Sequence, residues 1–289
     1  ARIQTTQPFA AFGERGILVV PYFERALYQL TDGELTPERV LALARDTELR
    51  ILGVPVGPRP LLGIPHLLNQ ESAAAYHGYL LANMGALKRQ TVLREFTIAR
   101  RASEVVAELL ATLGEPLSDA VQVIGFGVYI WNVTQTTEVV RLIKNQRPGV
   151  KVVLGGPEVS HELGEQEIVS MADHVIAGWG DVSFPKLCHA LLHGPQPLMK
   201  IIMGEEPPLD DIALPYAEYT DADLAHRLLY VEASRGCPFR CAFCLSSLDK
   251  TAWAFDLDAF LAEMAKLYQR GARNFKFVDR TFNLKIDAS

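Results

Sequence analysis

The stretch from residue 102 to residue 181 alternates between helical and strand patterns, and this alternation most restricts how the chain can fold. Apolar residues at helical spacing predict a helix in ASEVVAELLATL, residues 102–113. β-Branched and aromatic runs then predict three buried strands, with a helix between the first two. The strands are VQVIGFGVYIWN (121–132), VKVVLGGPEVS (150–160) and DHVIAGWGD (173–181), and the helix is TEVVRLIKNQRPG (137–149). This order is typical of an α/β domain with a doubly wound parallel sheet.

Glycines stand at the carboxyl ends of the second and third predicted strands. They are Gly155, Gly156, Gly178 and Gly180. In a doubly wound sheet, ligands bind beyond these strand ends, where glycine lets a ligand approach the backbone closely. Tight turns from a strand to a helix also use glycine. The pattern therefore indicates either a ligand-binding edge or ordinary turns.

A proline-rich stretch separates the α/β region from a second unit. Residues 193–226 have no regular period and predict a linker, because proline removes backbone donors. Residues 227–289 predict the N-terminal part of a (β/α) barrel, with a strand (LLYVEASRG), a loop, a helix (DLDAFLAEMAKLYQRG) and a strand (NFKFVDRTFNL). Residues 1–85 are expected to be a mainly helical segment, and residues 86–192 the α/β domain. Five apolar residues share one face of the barrel helix: Phe260, Leu261, Met264, Leu267 and Tyr268.

Three of the four cysteines fall within eight positions, in the loop CPFRCAFC. Nothing in the sequence points to secretion, so clustered thiols are more expected to bind a metal than to form disulfides. Cys237, Cys241 and Cys244 suit an iron-sulfur cluster, in which three thiolates leave one iron of four open. Zinc held with a distant histidine, or a zinc-binding structural module, is the alternative, although no Cys or His follows Cys244. Cys188 lies on an apolar helical face and is predicted to pack in the core.

CPFRCAFC resembles the CxxxCxΦC motif of radical S-adenosylmethionine (SAM) enzymes, in which Φ is an aromatic residue. The resemblance implies that the three cysteines hold a [4Fe-4S] cluster, that SAM binds its open iron and that Phe243 lies near the adenine. FVDRTFN resembles the second barrel strand of this group, so Asp279 is a candidate near the SAM ribose; a solvated acid at a strand end is the alternative. One-electron reduction would then cleave SAM to a radical that abstracts hydrogen from a substrate.

The region from about residue 90 to residue 284 resembles cobalamin-binding radical SAM proteins, through GFGVYIWN, VVLGGPEVSHE and VIAGWGDVSFPKL. The resemblance implies a corrinoid at the strand ends. No Asp-x-His-x-x-Gly motif occurs, so a lower axial histidine is not expected. The positions implied around the corrinoid are Tyr129, Trp131, Asn132, Gly155, Gly156, Pro157, Gly178 and Trp179.

Residues 1–85 resemble a segment of the thimet oligopeptidase-like zinc peptidases that carries substrate-contacting side chains. The matching positions are His66, Tyr76, His77 and Tyr79. Such a peptidase needs His-Glu-x-x-His, and the nearest sequence is HELGE at 161–165, which has glutamate in the second ligand position. We therefore expect these side chains to be structural, and a zinc metallopeptidase is the alternative to a radical SAM enzyme.

Charge and hydropathy limit the expected partners. The net charge of -6, with both signs mixed along the chain, offers no extended basic surface, so nucleic acid is not an expected partner. No apolar run approaches the roughly 20 residues that span a bilayer, so no membrane partner is expected. We expect a cytoplasmic enzyme that acts on a small-molecule or unknown substrate and receives electrons from a donor such as flavodoxin or ferredoxin.

Overall fold

The computed structural model describes residues 10–27, 29–31, 33–53, 72–115, 120–161, 163–239 and 252–281. The chain forms two compact units, Ala1–Gln70 and Glu71–Ser289. The helix Ser72–Ala82, which lies before the boundary predicted near residue 85, is part of the second unit. No helix in the described ranges is long and apolar enough to cross a membrane. Four predicted site residues lie outside these ranges: His66, Cys241, Phe243 and Cys244.

The first unit contains the helices α1 (Ala10–Leu27) and α2 (Pro37–Leu52). Helix α2 begins after Thr36, whose side chain accepts a hydrogen bond from the Arg39 amide. It ends at Gly53, which adopts a left-handed conformation with a φ of 76°. The small core of this unit consists of Val19, Phe23, Ala44 and Leu52.

A four-stranded parallel sheet forms the centre of the second unit, which opens with helix α3 (Ser72–Ala82). The helices that cover one face of the sheet are α4 (Ala102–Leu113), α5 (Val133–Gln146) and α6 (Glu167–Met171), and α7 (Ser183–His193) packs on the other. The strands lie in the order β1 (Val123–Gly127), β2 (Lys151–Gly155), β3 (His174–Ala177) and β4 (Ile201–Met203). The predicted α/β class is confirmed.

Successive residues of β2 pack into two different cores, because neighbouring side chains of a strand point to opposite faces. Val152 and Leu154 pack beneath α4, α5 and α6, whereas Val153 packs against α7. Cys188 on α7 is buried, and burial raises the pKa of its thiol to about 12. The core position predicted for this cysteine is confirmed.

Two segments differ from their sequence predictions. The strand expected over residues 121–132 ends at Gly127. The Asn132 side chain accepts a hydrogen bond from the Tyr129 amide and donates one to the Gly127 carbonyl, which closes a turn. The stretch expected to be an irregular linker contains β4, which pairs with β3, and helix α8 (Asp221–His226). The three residues of β4 are too short to show a period, and the strand is held by its pairing with β3 and by Ile202, which packs against the core under α7.

The described part of the barrel region has the predicted β-loop-α-β order. Strands β5 (Leu229–Val231) and β8 (Phe275–Phe277) are parallel neighbours, and helix α9 (Leu257–Gln269) precedes β8. Strands β6 (Ser234–Gly236) and β7 (Ala252–Ala254) form an antiparallel pair. The barrel core consists of Tyr216, Leu229, Val231, Phe260, Leu267 and Ala272. Two of the five residues assigned to the apolar face of the helix, Leu261 and Tyr268, are exposed, so that part of the prediction is wrong.

Candidate functional site

The loop after β1 carries three of the residues predicted to surround the corrinoid. The rings of Tyr129 and Trp131 stack with their centroids 4.7 Å apart. Tyr129 is buried, whereas Trp131 keeps 43% of its surface exposed. The Asn132 side chain is engaged by the backbone of its own turn. Trp131 therefore presents the ring surface that a ligand at this edge of the sheet could contact.

The loops after β2 and β3 are joined through Ser160. Its hydroxyl donates a 2.8 Å hydrogen bond to the Gly156 carbonyl and accepts a 3.1 Å bond from the Gly178 amide. Gly156 has a φ of 107°, and a Cβ atom there would lie 2.5 Å from the Val128 carbonyl oxygen. This turn requires glycine. Gly156, Pro157 and Gly178 are thus held at the same edge of the sheet.

The backbone beside Gly155 and Gly178 is open. A Cβ atom on Gly155 would meet its nearest neighbour at 3.8 Å, and one on Gly178 at 4.0 Å. A flat ligand could therefore touch the backbone at the ends of β2 and β3. These two strand ends fit the predicted corrinoid.

Helix α3 covers the carboxyl end of β1. A Cβ atom on Gly127 would lie 2.2 Å from His77 Nε2, so the imidazole fills the space that this glycine leaves. Leu80 lies in the same way beside Gly180, with its Cδ2 atom 3.0 Å from the position of a Cβ. His77 Nε2 is buried without a hydrogen-bond partner in the described part of the chain, and burial lowers the pKa of this histidine. The end of β1 is thus occupied by the chain itself.

Three of the residues matched to the zinc peptidases lie on this helix. Burial raises the pKa of Tyr76 to about 12, and the Tyr79 ring stacks on Phe255 at 5.9 Å. Among the described residues, no group of three or more His, Cys, Asp or Glu side chains is placed to hold a metal ion. His77 packs against Gly127 and Tyr79 against Phe255, so these two side chains join α3 to the rest of the second unit.

The first cysteine of the predicted cluster loop lies directly after β6. The Thr281 hydroxyl donates a 3.0 Å hydrogen bond to Cys237 Sγ. Asp279 lies beside the same strand, where its carboxylate accepts hydrogen bonds from the Ala233 amide at 3.0 Å and the Ser234 hydroxyl at 2.5 Å. Asp279 therefore fixes the backbone that leads to Cys237. Its contact with SAM stays a prediction.

A buried ionic cluster connects this strand to the sheet domain. Arg235 donates two hydrogen bonds to the Asp181 carboxylate, at 2.8 and 3.2 Å, and one from Nε to Glu232 at 2.9 Å. The three side chains are only 10%, 7% and 5% exposed, in the order Arg235, Asp181 and Glu232. The guanidinium also lies 4.7 Å from the Tyr79 ring centroid and 4.9 Å from that of Trp179. Trp179 is thus held by this cluster.

The charges of this cluster do not balance if both acids are ionised. Burial raises the pKa of Glu232 from 4.5 to about 7, although Arg235 opposes this shift. Burial acts to lower the pKa of Arg235, but the two carboxylates outweigh it and raise the pKa overall. Burial outweighs the opposing charge of Arg235, so Glu232 retains a proton up to about neutral pH.

Residues 112–188 match a protein-family model described as the B12 binding domain. The chain contains a B12-binding domain. It includes β1, β2 and β3 and therefore every residue that the sequence placed around the corrinoid. The corrinoid contacts of the individual residues stay predictions.

Curated relatives of the chain are methyltransferases. An uncharacterized methyltransferase of Pyrococcus horikoshii is 33% identical over 50% of this chain and 37% of its own length. A 2-(S-pantetheinyl)-carbapenam-3-carboxylate methyltransferase of Streptantibioticus cattleyicolor is 27% identical over 48% of this chain and 23% of its own. The cobalamin-dependent radical SAM methyltransferase TokK of Streptomyces tokunonensis is 29% identical over 42% of this chain and 21% of its own length. The chain thus spans well under half the length of each relative.

The solved structure of the radical SAM methyltransferase TsrM from Kitasatospora setae is also similar. That structure contains a tryptophan substrate and a SAM analogue, covers 73% of this chain and 46% of TsrM, and has a TM-score of 0.47 at 16% identity. None of the proteins compared above is a zinc peptidase. The B12-binding domain and the curated relatives confirm the predicted relationship to cobalamin-binding radical SAM proteins.

Sequence reasoning missed the link between the B12-binding domain and the cysteine loop. Asp181 and Arg235 are 54 positions apart, and no local pattern pairs them. A signal was present in the strand pattern itself, because Glu232 and Arg235 interrupt an apolar run where a buried strand was predicted. Charged residues are almost never fully buried unless they are paired.

Proposed function

We propose that this chain is the cofactor-binding part of a cobalamin-dependent radical SAM methyltransferase. The observation that carries the proposal is the Asp181–Arg235 pair, which joins the B12-binding domain to the strand that ends at Cys237. A corrinoid site and a cluster site would therefore share one cleft. The curated relatives support methyl transfer as the overall reaction.

The residues of the chain have separate roles in this proposal. Cys237, Cys241 and Cys244 would bind three irons of a [4Fe-4S] cluster, with the fourth iron open to SAM. Phe243 and Asp279 would lie beside SAM. The backbone at Gly155 and Gly178, together with the Trp131 ring, would hold the corrinoid. When bound, the cluster and SAM supply reductive one-electron chemistry and the corrinoid supplies a methyl carrier, while the protein orients both and excludes water.

The proposal includes two partners. Reductive cleavage of SAM consumes an electron, so a one-electron donor such as flavodoxin or ferredoxin would dock near the cysteine loop. The methyl acceptor would be a small molecule or another substrate that the sequence does not identify. The acceptor is tested by incubating the protein with labelled SAM and candidate acceptors and analysing the products by mass spectrometry.

Anaerobic reconstitution with iron and sulfide is the first test. We expect about four irons per chain and a broad visible absorption. The Cys237→Ala/Cys241→Ala/Cys244→Ala variant should lose both, and Cys188→Ala should keep both because Cys188 packs in the core. With dithionite and SAM, the wild-type chain should then form 5′-deoxyadenosine.

Metal analysis of the same samples separates the alternatives. Zinc without iron would replace the radical SAM proposal with a zinc-binding structural module. Iron that survives loss of all three cysteines would also overturn it. Methyl transfer is tested separately, by S-adenosylhomocysteine formation in the presence of hydroxocobalamin and a reductant that takes its cobalt from Co(III) to Co(I). Absence of this product from a chain that cleaves SAM would contradict the methyltransferase assignment alone.

A further inference from the structure

Arg235 lies between the B12-binding domain and the barrel strands, with only 10% of its side chain exposed. One carboxylate comes from the loop after β3 (Asp181), and the other from the residue after β5 (Glu232). Trp179 from the B12-binding domain and Phe255 from the barrel region lie 4.9 and 5.7 Å from the guanidinium. The side chain is therefore in contact with both parts.

The chemistry of this contact requires arginine. A planar guanidinium can bind one carboxylate through two nitrogens, donate to a second through Nε and still stack on aromatic rings. A lysine ammonium at the same position keeps the charge but is a point donor without the fork or the planar face. An uncharged side chain would leave the Asp181 carboxylate buried without its cation.

The contact involves the strand that leads to the first cysteine of the predicted cluster. Arg235 lies two residues before Cys237, on a short strand paired only with β7 among the described strands. The sheet contacts of β6 therefore lie within the barrel region, whereas the Asp181 bond reaches the carboxyl end of β3. Rotation of this strand relative to the B12-binding domain would break the two-nitrogen bond to Asp181.

We propose that Arg235 is a positioning residue that fixes the strand leading to Cys237 relative to the carboxyl edge of the B12-binding sheet. Its value for catalysis rests on the proposed function, because methyl transfer requires the cluster and corrinoid sites to face each other. The fixed geometry itself is a property of the chain without cofactors, and it can be measured in that state.

The test uses the chain without cofactors and two spin labels attached to unnatural amino acids at Lys186 and Lys266. These side chains are 61% and 66% exposed, on α7 of the B12-binding domain and on α9 of the barrel region. Pulsed dipolar EPR should give one narrow distance distribution for the otherwise wild-type chain. We expect Arg235→Met to lose the single narrow peak, and Arg235→Lys and Asp181→Asn to broaden it to intermediate widths.

Two controls separate positioning from ordinary destabilisation. Leu267→Ala weakens the barrel core without touching Arg235, so it should lower the melting temperature while the distance distribution stays narrow. Arg273→Lys changes an exposed arginine that contacts Tyr268 and Ala272, and it should change neither readout.

The outcomes are decisive for the proposal. A narrow, wild-type distribution in folded Arg235→Met would overturn it. If that variant does not fold, Arg235→Lys and Asp181→Asn decide in its place, and wild-type widths in both would overturn the proposal equally. If the wild-type chain binds neither iron nor corrinoid, the proposed function is refuted. The distances measured without cofactors would still test the role of Arg235.

Discussion

The ionisation of single residues in the candidate site depends on neighbours that are distant in the sequence. Glu232 follows a buried strand, and its environment consists of Arg235, Asp181 and Asp279 together with the Tyr216 hydroxyl that bonds its backbone. Burial dominates the ionisation of Glu232 and outweighs the opposing charge of Arg235. Its pKa is therefore a property of the folded protein.

The pH dependence of stability should report this carboxyl group. The folded protein holds the Glu232 proton up to about pH 7, whereas the unfolded chain releases it near 4.5. The folded state therefore binds more protons in this window, and the free energy of unfolding should fall as the pH rises through it. Glu232→Gln should remove this fall. Urea unfolding at pH 5 and pH 8 measures the difference, with Glu167→Gln at an exposed ion pair as the control. Equal falls in wild type and Glu232→Gln would contradict the assignment.

Gly127 and His77 should be coupled in stability. A Cβ at residue 127 would lie 2.2 Å from His77 Nε2, so Gly127→Ala should lower the free energy of unfolding by about 1–3 kcal/mol, the usual cost of overpacking. In Gly127→Ala/His77→Ala the space is vacated, and much of this loss should be recovered. Denaturation followed by tryptophan fluorescence reports the unfolding of the second unit selectively, because all three tryptophans lie in that unit. Additive losses would show that α3 does not pack on β1.

At the scale of elements, periodicity identifies a helix better than it identifies the width of its buried face. Helix α9 has the bounds that its pattern predicts to within a few residues. Its buried contacts are made by Phe260 and Leu267 with partly buried Met264, since it packs on a narrow surface around β5 and β8. Strand β4 shows the opposite case, because it is too short to show a period and is held by contacts with residues distant in the sequence.

Substitution of two leucines of α9 should therefore have sharply different effects on the free energy of unfolding. Leu267→Ala should lower the free energy of unfolding by about 2–5 kcal/mol, because it empties a fully buried position. Leu261→Ala should change it by no more than about 0.5 kcal/mol, because that side chain is exposed. Chemical denaturation of both variants tests the orientation of the helix, and similar losses would contradict the exposure of Leu261.

At the scale of the whole molecule, the B12-binding domain and the barrel region belong to one compact unit but have separate cores. Corrinoid binding should therefore not depend on the cysteines. The variant without Cys237, Cys241 and Cys244 should bind hydroxocobalamin as the wild type does, as measured by absorbance after gel filtration. Loss of binding in that variant would show that cluster and corrinoid bind as one unit.

Gly156→Ala should weaken corrinoid binding and leave iron binding intact. It places a Cβ 2.5 Å from a backbone oxygen at a φ of 107°, so the loop predicted to contact the corrinoid must shift. We expect corrinoid affinity to fall about tenfold, equivalent to about 1.4 kcal/mol, with iron binding retained. Gly149→Ala, where a Cβ would meet nothing within 4 Å, is the matched control. Unchanged affinity in Gly156→Ala would exclude this loop from the site.

The sequence by itself determined the features that depend on neighbouring residues. The order of helices and strands from 102 to 181, the glycine at each turn after β2 and β3, and the spacing of the three cysteines are local, because periodicity and backbone conformation act over a few residues. Only the tertiary structure decided the rest. The Asp181–Arg235 pair, the His77 ring beside Gly127 and the pairing of β4 join residues distant in the chain, and such contacts form only when folding brings apolar faces together and excludes water from the polar groups between them.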